Sequence, residues 1–182
     1  AWQNAGDAVG IATPQFARNN QFPSKTEAKL SSLYKQYGYK GETCIATLTS
    51  VVRSHPFYIA EGENFIPEVY QFDQIDRKYS HLLCNREICK GEYLPDGYSA
   101  NYKRILLKNP RSYAVYKKQC IEFSDTLMQR FKESILYLMW SKIAGDSILY
   151  ALKKARTVGA ISAALPLAVA LEPLFKKYMN SI

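Results

Sequence analysis

Between Asn109 and Gly145 the residues Tyr116, Cys120, Phe123, Leu127, Phe131, Ile135 and Leu138 recur at three- and four-residue steps, the spacing that lines up side chains on one face of an α-helix. Asn109 stands at the cap position and Pro110 at the first helical position, where a missing N–H costs nothing. The pattern predicts one long amphipathic helix, and any fold the chain adopts has to cover its apolar face. Gly145 and Asp146 break it and cap a second helix, "DSILYALKKAR", and "TVGAISAALPLAVALEPLFKKYMNSI" closes the chain.

Upstream the signals are shorter. "PSKTEAKLSSLYKQYG" reads as a helix capped by Ser24, with Glu27 completing a capping box, Leu30, Leu33, Tyr34 and Tyr37 on one face, and Gly38 past its end. "CIATLTSVV" satisfies both helical spacing and β-propensity, "HPFYIAEGENFIPEVYQF" reads as two extended runs around "EGEN", and "GEYLPDGYS" is a turn. Residues 1–23, with Asp7 and Arg18 as their charges, show no periodicity and read as an extended arm. The expected fold is α-rich α+β: a helical bundle with a small disulfide-tied β or irregular subdomain in the middle. Residues 24–182 are expected to form one globular domain, with 42–108 its mixed, disulfide-linked region and 109–182 its helical region.

Four cysteines, Cys44, Cys84, Cys89 and Cys120, suit two disulfides in an oxidising compartment. The pairing Cys44–Cys84 with Cys89–Cys120 ties three segments together and is preferred to Cys84–Cys89 with Cys44–Cys120. "HLLCNREICKGE" also offers His81, Cys84 and Cys89 as zinc ligands, but its spacing is loose for a structural site, and no metal or other cofactor is expected. The absence of an N-x-S/T sequon fits an unglycosylated secreted or periplasmic protein, and the opening "AWQN" that of a processed or trimmed chain.

Two segments stand out as surfaces. The net charge is +8, yet residues 56–76 carry Glu61, Glu63, Glu68, Asp73 and Asp76 and no Lys or Arg, whereas residues 97–120 carry Lys103, Arg104, Lys108, Arg111, Lys117 and Lys118 and no acid. Interleaved with Tyr102 and Tyr113, those cations suit an anionic ligand or an acidic partner. The second segment runs from Val158 to Phe175 with Glu172 its single charge, between Lys153, Lys154 and Arg156 on one side and Lys176 and Lys177 on the other. Apolar all round, with Val158, Ile161, Leu165, Leu167, Leu171 and Phe175 among its large side chains, it reads as a core helix, an oligomer interface or a membrane-inserting segment.

Catalytic patterns are sparse. His55 and His81 are the two histidines, and no P-loop, dinucleotide fingerprint, HExxH or nucleophile elbow occurs. The expectation is an exported, non-enzymatic binding protein, of an effector, immunity or structural-assembly kind, whose partner is another protein or a second copy of itself. A membrane-active toxin inserting residues 157–175, with an anionic membrane surface as its target, is the alternative. A hydrolase of envelope polymer follows it; envelope glycan is a further candidate ligand, and no nucleic acid is expected.

Overall fold

Residues Ala8–Gln15, which the sequence places in an extended arm, form an interior strand (β1) of a four-stranded sheet. The computed structural model describes residues 7–15, 21–86, 88, 94–155 and 158–181. It divides into two compact units, residues 1–57 with 68–93 and residues 58–67 with 94–182.

In the first unit the sheet order is β2–β4–β1–β3, with β2 Glu27–Ala28, β3 Glu42–Thr47 and β4 Ser80–Leu83. Strand β1 runs antiparallel to β3, Gly10 opposite Thr47 and Gln15 opposite Glu42, and parallel to β4, Ala12 opposite Leu83. Gly10 lets these strands close up: a Cβ there would collide with the Ala46 carbonyl oxygen and come within 2.7 Å of His81 Cδ2. Ala12, Phe22, Leu30, Leu33 and Tyr39 make the core.

The first helix, α1 Leu30–Lys35, is shorter than the sequence suggests, because Glu27 is in β2 and accepts a hydrogen bond from the Ser80 hydroxyl rather than completing a capping box. The cap comes from far along the chain. Buried Asp76 accepts the N–H groups of Leu30 (3.0 Å) and Ser31 (2.6 Å), satisfying donors a helix start leaves open. The stretch "CIATLTSVV", open to either reading, divides into the end of β3 and the start of α2 Thr49–Ser54, while α3 Val69–Asp76 forms where an extended run is expected; the two helices meet where Gln71 donates to the carbonyls of Val52 and His55.

His81 is fully buried, with Nε2 2.9 Å from Thr47 Oγ1 and Nδ1 without a hydrogen-bond partner among the described residues. Burial pushes its pKa below the ordinary histidine value, against the opposing pull of Asp76. The fold therefore prefers the neutral ring, and its stabilising effect is complete above about pH 6.5 and lost as pH falls toward the depressed value. The denaturation midpoint of the first unit should drop between pH 7 and pH 5, and His81→Gln should flatten that slope. Equal slopes in the two proteins would contradict this.

The second unit is helical: α4 Tyr102–Lys108, α5 Pro110–Glu122, α6 Leu127–Ile143, α7 Ile148–Lys154 and α8 Val158–Asn180. The long helix expected from Asn109 is two helices. Thr126 is extended and its Oγ1 accepts the Gln129 N–H at 3.1 Å, which starts α6 afresh. Gly145, at φ +84°, ends α6, and Ser147 rather than Asp146 caps α7 through the Tyr150 N–H. Ile121, Leu138, Trp140, Ala151, Ile161, Ala164 and Ala168 lie at the centre of the core these helices share.

The α+β character is as expected, but no disulfide ties the sheet region among the described residues. Cys44 on β3 lies opposite Thr13, and Cys84 follows β4 with its N–H on the Ala12 carbonyl, so β1 runs between them. Two strand spacings, about 9.6 Å, exceed the roughly 7 Å Cα separation a disulfide tolerates. Cys44, Cys84 and Cys120 form no disulfide among the described residues, and the pairings that involve Cys89 lie outside those residues.

Candidate functional site

The basic, tyrosine-rich stretch is first a scaffold. Residues 58–67 are strapped onto the junction of α4 and α5 by side chains. Asn109 Oδ1 accepts the N–H groups of Asn64 (2.8 Å) and Phe65 (3.0 Å), its Nδ2 donates to Ile105 O, and the Ser112 hydroxyl accepts the Ala60 N–H. Asn109 thus holds the loop and leaves α5 uncapped by its own side chain. Glu63 takes over, accepting the N–H groups of Arg111 (2.8 Å) and Ser112 (2.7 Å). Here the acidic block meets the basic block through backbone amides at a helix N-terminus, where negative charge is favoured.

Two of the six cations singled out from sequence, Lys117 and Lys103, are engaged within the fold. Lys117 is buried, paired with Glu133 at 3.0 Å, its ammonium 5.0 Å from the Tyr116 ring centroid and 5.4 Å from that of Tyr113. Lys103 lies over the Tyr178 ring, 3.7 Å from its centroid, and donates to the Tyr178 carbonyl, tying α4 to the end of α8. Tyr113 packs edge-on against Trp140 at 4.7 Å and is hydrogen-bonded to Tyr102; burial pushes both phenols up to about 12. Arg104, Lys108 and Arg111 remain exposed and Lys118 half-buried.

Helix α8 has two apolar faces. Ile161, Ala164, Ala168 and Met179 are buried, with Leu165, Leu171 and Phe175 packed against the same core and Phe175 edge-on to Trp140 at 5.8 Å. The side chain of Val158 lies outside the described residues. One hundred degrees per residue places the opposite face on Gly159, Ala163, Pro166, Ala170 and Pro173, with Leu167 and Leu174 along its shoulder. Those residues are exposed, Leu167 by 40% and Leu174 by 65%, as are Val169 (51%) and Tyr178 (58%). Every exposed residue from Gly159 to Leu174 is uncharged, and Ser162 is the polar one among them.

Of the six positions expected to form an interface or membrane segment, Ile161, Leu165, Leu171 and Phe175 thus face the core and Leu167 faces out. Val169 and Leu174 follow from a helical projection once Ala164 and Ala168 are known to face the core, whereas Tyr178 projects along the same line as core-packed Leu171 and its exposure does not follow from that projection. Helix α7 adds Leu149, 72% exposed, and Tyr150 on the side away from buried Ala151. An outer helix face is ordinarily polar, so this apolar one is what the molecule has to explain.

The chemistry expected of a hydrolase does not converge. His55 Nδ1 lies 3.0 Å from both Ser54 Oγ and Val51 O, and His81 faces Thr47; neither is hydrogen-bonded to a carboxylate among the described residues. No cluster of three metal-ligating side chains occurs among the described residues. No helix among them is long and apolar enough to cross a membrane. In comparisons with known proteins, no family model matches the chain, and no curated protein or solved structure is significantly similar to it.

Proposed function

We propose that this chain is an exported, non-enzymatic interaction protein and that the outer face of α8 is its contact surface. The observation that carries the reading is the uncharged exposed side of α8 from Gly159 to Leu174. A leucine left in water forgoes about 1.5–3 kcal/mol of burial. Such residues accumulate on one side of a helix when something else covers them. The exported location rests on the even cysteine count. Four titratable thiols in protein prepared under oxidising conditions would remove that part.

Sedimentation of the purified chain over a wide concentration range, alone and with lipid vesicles, tests the contact surface. The wild type should self-associate or travel with vesicles. Leu167→Asn/Leu174→Asn should weaken that association roughly thirtyfold while leaving the melting temperature unchanged, since both side chains lie outside the core. A wild type that stays monomeric and apart from vesicles throughout would overturn the reading.

A further inference from the structure

On the reading that α8 presents a contact surface, we propose that its occupant is an anionic lipid surface, on which α8 lies in the plane of the headgroups without spanning the bilayer. The first argument is charge. The second unit holds fourteen Lys and Arg against eight Asp and Glu, which places +6 of the chain's +8 there. The acid of α8, Glu172, is largely covered and engaged by Lys142 and by Lys176 (2.8 Å). The exposed charges of α8 are Lys176 and Lys177, and Lys177 projects in the same direction as Pro166, Ala170 and Pro173.

Helix α7, which packs against α8, contains no acid. It pairs Leu149 with Lys153 and Tyr150 with Lys154 at i,i+4, and the Lys154 ammonium lies 4.3 Å from the Tyr150 ring centroid. Exposed leucine and tyrosine bordered by lysine is the composition of a helix that binds at a membrane interface. Two copies joined through the same surface would instead bring these lysines toward one another.

The second argument concerns depth. Proline has no N–H, so Pro166 and Pro173 cannot donate to the carbonyls of Ser162 and Val169, both exposed residues. In the hydrocarbon core a carbonyl without a donor is costly, whereas water reaches it among the headgroups. The two prolines and the lysines therefore set the same shallow level, with Tyr178 at the polar boundary.

Vesicle co-sedimentation at low salt decides this, using phosphatidylglycerol mixed with phosphatidylcholine against phosphatidylcholine alone. The wild type should be retained by the anionic vesicles and released by added salt. Lys153→Gln/Lys177→Gln should weaken retention roughly thirtyfold, and Leu167→Asn/Leu174→Asn by a similar factor. Equal retention on both vesicles, or retention that the leucine variant leaves intact, would overturn the in-plane lipid site. No retention on either, with concentration-dependent assembly that the leucine variant abolishes, would overturn the lipid occupant and leave the contact surface standing. Neither retention nor assembly would remove both.

Discussion

Trp140→Ala is expected to destabilise the second unit by about 3–5 kcal/mol, a large part of the 5–15 kcal/mol that typically separates a folded domain from its unfolded chain. Trp140 lies on α6, is 3% exposed, and has Tyr113 of α5 edge-on to one part of its ring and Phe175 of α8 edge-on to another. Truncation removes the aromatic contacts that join three helices and leaves a cavity whose walls belong to separate elements. Because Phe175 then loses its partner, α8 should loosen before α5 and α6 separate. Circular dichroism in a denaturant series measures the total, and hydrogen exchange along α8 measures the order of events. A loss below about 1 kcal/mol would mean that the helices close over the gap, and would remove Trp140 as the centre of the unit.

The position of Trp140 also shows where sequence reasoning reaches and where it stops. Its helix was legible because Phe131, Ile135 and Leu138 repeat at helical steps. The break before it was legible too, since Thr126 and Gln129 have the spacing of a helix start, but the longer apolar rhythm overrode that local signal. Helix α1 fails for a different reason. Ser24 and Glu27 imitate a capping box, while the actual cap, Asp76, is 46 positions away and has no local signature. Glu63 and α5 repeat the case across 48 positions.

β1 is not legible because its burial does not alternate along the strand and Gly10, where the backbone closes on Ala46 and His81, carries no side chain to read. The candidate surface falls between these cases. Composition identified the segment from Val158 to Phe175 as apolar, but an all-apolar helix carries no contrast by which to tell its inner face from its outer one. That distinction needed α6 as a neighbour. Once Ile161, Ala164 and Ala168 are known to face the core, helical geometry alone puts Pro166, Ala170 and Leu174 on the exposed side.

Glu133→Ala should be the most damaging change of a charged residue in the second unit, at about 3–5 kcal/mol, and Lys117→Met should cost much less. The two side chains form one ion pair but differ in access to water: that of Lys117 is 11% exposed and that of Glu133 27%. Removing the carboxylate strands an ammonium between the Tyr113 and Tyr116 rings, whose faces attract a cation more weakly than a carboxylate does. Removing the ammonium leaves a carboxylate that can hydrate, and a methionine that fills the same aromatic slot. Lys117→Met/Glu133→Leu should therefore recover most of the loss seen in Glu133→Ala, because a well-packed apolar pair avoids burying charge at all. Denaturant midpoints of the three variants give the comparison. If the double variant is as unstable as Glu133→Ala, the pair is held by more than its own attraction and desolvation, and Lys117 acts in the fold through contacts other than Glu133.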